Sequence, residues 1–361
     1  MDYLLLATIL LIVFFGITII YSATHANPAD NHGDPFVFVK KQVTWLILGL
    51  IAMFTMMSID YREFTKWSKH IYIINLLLLL AVMFLGKSSL GAQRWIEIGP
   101  FVLQPSEFAK ISIIITLATL LESKVGQIKT FGDLIPILFH VGVPMMLIMK
   151  QPDLGTSLVF MAIFFGIIFA AGVNWKPLTI LCGLGAAAMP FFWHVLKDYQ
   201  KKRLLVFLDP NVDPMGAGYH IIQSKIAIGS GGIFGKGIFA GTQSQLNFLP
   251  EHHTDFIFAV VGEELGFIGA LFLLALYFTV VWRGLKIAAE AKDNLGMLLA
   301  VGVISMFIFH VLVNIGMNSG IMPVTGIPLP FMSYGGSAML TNMMAMGLLL
   351  NVCIRKQKIL F

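Results

Sequence analysis

Charge is what this sequence has least of. Only 12% of its 361 residues are Asp, Glu, Lys or Arg, against roughly 25% in a soluble domain, while 57% are hydrophobic. That balance excludes an ordinary water-soluble chain. The net charge of +5 is spread over connecting segments, which excludes a nucleic-acid-binding face and suits contact with anionic lipid headgroups. Cysteine is nearly missing: Cys182 and Cys353 both stand in apolar runs, so neither a disulfide framework nor a cysteine metal site is indicated. No H-E-x-x-H or paired His/Cys spacing points to a structural zinc. His140 and His310 stand alone in apolar runs and read as hydrogen-bonded core residues. No heptads, short tandem repeats or low-complexity linker divide the chain, so 1–361 is expected to be one integral membrane domain. The first apolar run lacks a basic leader and reads as a retained span.

What the chain does have is long apolar runs. A hydrocarbon core of roughly 30 Å takes roughly 20 helical residues, which predicts an all-α bundle of ten spans: 4–21, 43–59, 71–85, 107–121, 134–149, 154–173, 178–196, 255–282, 295–317 and 333–354. Pro136, Pro144 and Pro190 fall inside spans, where neighbouring helices satisfy the freed carbonyls. One set of short connections carries Arg62, Lys66, Lys69, Lys124, Lys129, Lys176, Arg283, Lys286, Lys292, Arg355, Lys356 and Lys358; the other holds only Lys40, Lys41, Lys87, Arg94 and Lys150. The first set is expected to be cytoplasmic, with both termini inside. A long outer loop, 197–254, then separates the seventh and eighth spans. It opens on Lys197, Lys201, Lys202 and Arg203, and continues into Tyr219–Ile228, which reads as an interfacial helix or as a helix packed on the bundle. Its glycines, Gly229 to Gly241, match neither the Walker A nor the dinucleotide pattern and read as turns.

The ionisable groups gather at Leu246–Gly266, LNFLPEHHTDFIFAVVGEELG. Counting about 20 residues back from Arg283 lands near Glu263, which leaves Asp255 about 12 Å further out, under the long loop. A carboxylate there can cap the following helix or serve as a general base. Glu107 and Lys110 share a helix face, as an internal ion pair or as a phosphate site. Asp153 caps its span or lines the same cavity. Arg94, Lys202 and Arg203 suit pyrophosphate or anionic lipid equally. Glu263 and Glu264 read as structural or cavity-lining.

Taken together, several segments resemble the SEDS family (shape, elongation, division and sporulation) of bacterial cell-wall proteins. They are Gln104-Pro105-Ser106-Glu107-Phe108-Ala109-Lys110, Gln151-Pro152-Asp153-Leu154-Gly155, Gly218-Tyr219-His220-Ile221-Ile222-Gln223-Ser224-Lys225-Ile226-Ala227, Phe248-Leu249-Pro250-Glu251, 253–258, Glu263-Glu264-Leu265-Gly266, 323–331 and Ser333-Tyr334-Gly335-Gly336. Lys225 stands where the division branch usually has Leu, which tilts the resemblance to the elongation branch. The resemblance implies a peptidoglycan glycosyltransferase of the bacterial cytoplasmic membrane that polymerises lipid II on the outer face. Asp255 aligns with the family's essential Asp, and undecaprenyl pyrophosphate would be the leaving group. Glu107, Lys110, Asp153, Lys202, Arg203 and Arg94 are the substrate-site candidates. The implied partners are a class B penicillin-binding protein transpeptidase and other elongation-complex membrane proteins. No resident cofactor is assigned, though a divalent cation (Mg or Mn) is compatible with the leaving group's charge. The competing readings are a lipid II flippase, which needs a polar path to the inner leaflet, and a non-catalytic scaffold.

Overall fold

The computed structural model describes residues 1–25, 34–89, 92–99, 101–196, 198–214, 216–246 and 248–356. Lys197 and Lys358, both named above, lie outside them. Each expected span coincides with a helix. The first three are α1 (Tyr3–Thr24), α2 (Val37–Ser58) and, after the short α3 (Tyr61–Lys66), α4 (Ser68–Leu85). Then come α5 (Pro105–Leu121), α6 (Phe131–Lys150), α7 (Leu154–Ala170) and α8 (Trp175–Val195). The last three are α12 (Ile257–Ala289), α13 (Asn294–Asn318) and α14 (Gly336–Ile354), with α9 to α11 between α8 and α12. Among the described residues seven helices are long and apolar enough to cross a membrane; α5 and α7, at 17 residues each, fall just short of that length.

The bundle is built around α13 and α14, whose side chains are buried on nearly every face, while α4 and α8 bury few of theirs. Without a hydrophobic drive in lipid, such helices associate by close packing over small residues. Gly347 of α14 shows the distance involved: a methyl there would fall 2.6 Å from the Met53 carbonyl oxygen of α2.

Two connections differ from expectation. The short outer loop carrying Arg94 is an antiparallel three-stranded meander, β1 (Lys87–Ser89), β2 (Ala92–Ile98) and β3 (Phe101–Leu103). Its strands are too short to show as a periodic pattern in the sequence. The long 197–254 connection is largely helical, with α9 (Asp198–Leu208), α10 (Ala217–Gly231) and α11 (Thr242–Gln245). α10 packs along α12 and touches α13, so it is a helix of the bundle and not one lying free at the lipid interface.

The glycine-rich turn after α10 completes a break in α12. Gly266 has φ 64° and ψ −159°, a conformation essentially restricted to glycine. The turn supplies the hydrogen bonds that the helix gives up there. Lys236 N–H donates to Glu263 O (3.0 Å) and Gly237 N–H to Glu264 O (2.9 Å), while Phe267 and Ile268 N–H donate to Gly232 O (2.9 Å) and Ile233 O (3.1 Å). Backbone inside a membrane protein must be satisfied in this way. The two glutamates beside the break are tied down as well. Glu263 accepts from Gln243 N–H (2.9 Å) and Lys236 Nζ (2.8 Å), and Glu264 from the Ser22 hydroxyl (2.7 Å). A Cβ on Gly266 would lie 2.4 Å from Gly235 N. Gly266→Ala is therefore expected to destabilise by at least about 1–3 kcal/mol from backbone strain alone, read as a lowered thermal midpoint in detergent.

Candidate active site

Five of the long helices begin at one end of the bundle: α2, α5, α7, α12 and α14. Hydrogen bonds tie their starts together. Gln42 Nε2 donates to Ser333 O (3.3 Å), Gln104 N–H to Ser337 Oγ (3.0 Å), and Gln104 Nε2 to Asp153 Oδ2 (3.2 Å). Converging N-termini give that end positive potential.

Asp255 stands there, two residues before α12. It does not cap: the capping position is Phe256, without a side-chain bond, and among the described residues no donor reaches the Asp255 carboxylate. The proline-rich connection between α13 and α14 closes over it. Tyr334 N–H donates to His253 O (2.9 Å) and Ser333 Oγ to Thr254 O (2.6 Å). Gly326, at φ +74°, brings its backbone so close that a Cβ would lie 3.3 Å from Asp255 Oδ2. Burial raises the Asp255 pKa to about 6; Glu251 pushes the same way, and Arg203 and Arg94 oppose. A base poised near neutrality is what proton abstraction uses best.

Arg94, Asp153 and Arg203 assemble around this point. Arg94, carried on β2, donates Nε to Gln151 O (3.2 Å) and Nη2 to Pro152 O, with Nη1 3.7 Å from Asp153 Oδ1. Asp153 caps α7, accepting from Thr156 N–H (3.1 Å). Arg203 Nη1 donates to Val324 O (3.3 Å) in the proline-rich connection. Lys202 is exposed on α9. Glu107 and Lys110 sit deeper, as a buried pair: Lys110 Nζ lies 2.7 Å from Glu107 Oε1 and 3.0 Å from His310 Nε2. Since an ammonium only donates, His310 accepts at Nε2 and carries its proton on Nδ1, which faces Met306 O at 2.7 Å. Both nitrogens of His310 are thus satisfied, and His140 meets Thr116 Oγ1 (2.9 Å) through Nε2.

Glu251 and Gly326 stand in the segments that carry the resemblance but had no site role from sequence, and two asparagines, Asn314 and Asn318, were not singled out. The asparagines left a usable signal, being one turn apart in an otherwise apolar run, where amides are expensive unless paired.

The sequence matches the FtsW, RodA and SpoVE family of cell cycle proteins over residues 2–358. The chain belongs to that family. It is 42% identical over 355 residues to the peptidoglycan glycosyltransferase MrdB of Escherichia coli (strain K12), covering 98% of this chain and 93% of that protein. Its fold superposes on a chain of a peptidoglycan synthase complex that coordinates polymerisation and crosslinking, with TM-score 0.81, 31% identity and 98% of each chain covered. The rod shape determining protein RodA of Thermus thermophilus superposes with TM-score 0.73 at 28% identity, over 99% of this chain and 98% of that one. As a member of this family the chain is an integral membrane protein and a peptidoglycan glycosyltransferase.

Proposed function

We propose that this glycosyltransferase polymerises lipid II during cell elongation, at the outer face of the cytoplasmic membrane, with Asp255 as general base. The observation that carries the reading is a carboxylate held off its helix, without a hydrogen-bond donor among the described residues, between the fields of Arg94 and Arg203. Asp255 takes the proton of the acceptor sugar 4-hydroxyl as that oxygen attacks the anomeric carbon of the donor chain. The donor's bond to undecaprenyl pyrophosphate breaks, and the configuration inverts. One displacement needs one base, unlike the two-carboxylate arrangement of glycosidases.

The leaving pyrophosphate gathers charge, which Arg94 and Arg203 meet with planar donors and the converging helix starts with their positive ends. Lys202, exposed beside Arg203, serves at the mouth. The Asp153 carboxylate fixes Arg94, and the Glu107–Lys110 pair braces α5 against α13 beneath the site. No three His, Cys, Asp or Glu side chains converge on one point among the described residues. Asp255 and Glu251 are the carboxylates that a divalent cation would meet here, with most of its ligands coming from phosphate and water, the coordination magnesium ordinarily keeps. Bound there, the cation would neutralise leaving-group charge.

Basic residues at the opposite end support an outward-facing site and cytoplasmic termini. There Arg62 pairs with Asp293, Lys356 with Glu290, and Arg283 with Asp2. The likeness to a chain of a synthase complex supports a class B penicillin-binding protein transpeptidase as partner, alongside other elongation-complex membrane proteins.

The test is polymer formation from labelled lipid II by the purified protein with its partner, the partner's transpeptidase serine inactivated. The rate is expected to rise with pH through a midpoint of about 6, because Asp255 below that pH is protonated and cannot accept. A rate independent of pH from 5 to 8, or leaflet transfer of lipid II without polymer, would count against it.

A further inference from the structure

A regular α-helix would join Ala259 N–H to the carbonyl of Asp255, four residues back. At the start of α12 a side-chain amide takes the place of that bond. Asn318 donates Nδ2 to Asp255 O (3.0 Å), while its Oδ1 accepts from Ala259 N–H (3.2 Å). A second amide converges on the same carbonyl: Asn314 donates Nδ2 to Asp255 O (3.0 Å) and to Ile327 O (2.8 Å). Asn318 Nδ2 also reaches Asn314 O (2.8 Å). Both side chains are fully buried on α13, so all four amide hydrogens of the pair have acceptors.

We infer that Asn314 and Asn318 are positioning residues for the transfer reaction, holding Asp255 out of α12 so that its carboxylate stays available to substrate. This rests on the reading of Asp255 as the base. Two donors converge on the Asp255 carbonyl oxygen and so restrain the following peptide, which sets where the Cα–Cβ bond points. The reference for that orientation is the core helix α13, and through Ile327 the connection that covers the site. Ala259 N–H also donates to Phe256 O (3.0 Å) in a tight first turn; remove Asn318, and it loses its side-chain acceptor and can turn to Asp255 O instead. The helix start then moves back toward Asp255, whose carboxylate becomes able to cap it by accepting backbone N–H groups. A capped carboxylate beside a helix N-terminus is a weaker base, and it points away from the acceptor sugar.

Asn351 provides a matched control. It too is fully buried and donates its amide to two carbonyls, Met56 O and Ile59 O, but at the other end of the bundle. The experiment measures lipid II polymerisation by the complex across pH for Asn318→Ala, Asn314→Ala, Asn351→Ala and Asp255→Asn, each with its thermal midpoint. Asn318→Ala is expected to lower kcat by about 10²-fold, the usual consequence of a misplaced reacting group, with KM unchanged. The acid midpoint of its pH profile is expected to fall below that of the unaltered protein, since Glu251, Arg203 and Arg94, the charged groups facing Asp255, stay in place. Asn351→Ala is expected to lower the thermal midpoint and leave the pH midpoint alone. Should Asn318→Ala fail to fold, Asn314→Ala removes one of the two donors to Asp255 O and is expected to lower kcat and the pH midpoint in the same direction by a smaller amount. A kcat loss that only follows thermal stability, with no movement of the pH midpoint, overturns the inference. So does unaltered kcat in both asparagine variants when Asp255→Asn is inactive, which sinks the clamp and spares the base. An active Asp255→Asn removes the base and the inference with it.

Discussion

Asp255→Asn is expected to lower the polymerisation rate by about 10²–10⁴-fold, the range a positioned general base contributes, while the protein folds as before. The amide matches the carboxylate in volume and leaves the backbone clamp from α13 untouched, so the change removes the proton acceptor and little else. Its effect on stability should have the opposite sign. The folded-state pKa of Asp255 is raised from 3.8 to about 6, so folding disfavours its ionised form. The protonated group's contribution to stability is fully present below pH 3.8 and is lost as pH rises through about 6. At pH 7 the unaltered protein therefore carries a destabilising anion that the amide does not. After discounting for part exposure, a gain of about 1–2 kcal/mol is expected, vanishing below pH 4. Rate assays of the purified complex check the first effect and thermal unfolding at pH 4 and pH 7 the second. Retained full activity would sink the assignment of the base.

Lys110→Ala is expected to be the most destabilising of the single changes at the candidate residues, by about 3–5 kcal/mol. Lys110 is 2% exposed and Glu107 5%, so truncating the lysine strands a carboxylate without its cation, and His310 Nε2 without its donor. The energy follows from that uncompensated charge and is not a measure of what the pair contributes when intact. Replacing both partners, as in Glu107→Leu with Lys110→Met, is accordingly expected to recover much of the lost stability. Thermal unfolding in detergent compares the single and double variants. A single variant as stable as the parent would show that water reaches the pair.

The helices at the ten expected spans were legible because hydrocarbon thickness leaves a signature in apolar runs of about that length. The placement of Asp255 was legible for the same reason, since Arg283 and the length of a span fix its depth to within about a turn. What stayed hidden had no local periodicity to read. The meander that aims Arg94 has strands of three, seven and three residues. In the 197–254 connection α10 was legible as Tyr219–Ile228, whereas α9 and α11, of eleven and four residues, are too short for an amphipathic pattern to establish itself. Whether Asp153 and Asp255 cap could not be decided from residue type, because both precede helices and only Asp153 turns inward to accept the N–H of Thr156. Asn314 and Asn318 resembled core polar residues, and their part depends on a carbonyl some 60 positions away in sequence.

The break at Gly266 has a mechanical side. Beyond it, residues 267–282 of α12 rise about 24 Å to Arg283, most of a hydrocarbon core of about 30 Å. About one turn before the break, back to Glu263, completes the crossing. A membrane thicker or thinner than that lower segment acts on its tilt, and the bend at Gly266 lies between that tilt and the catalytic end. Asp255 takes its bearings from α13 and the proline-rich connection, so the anchor in the lipid and the frame of the reacting groups are separate parts of one helix.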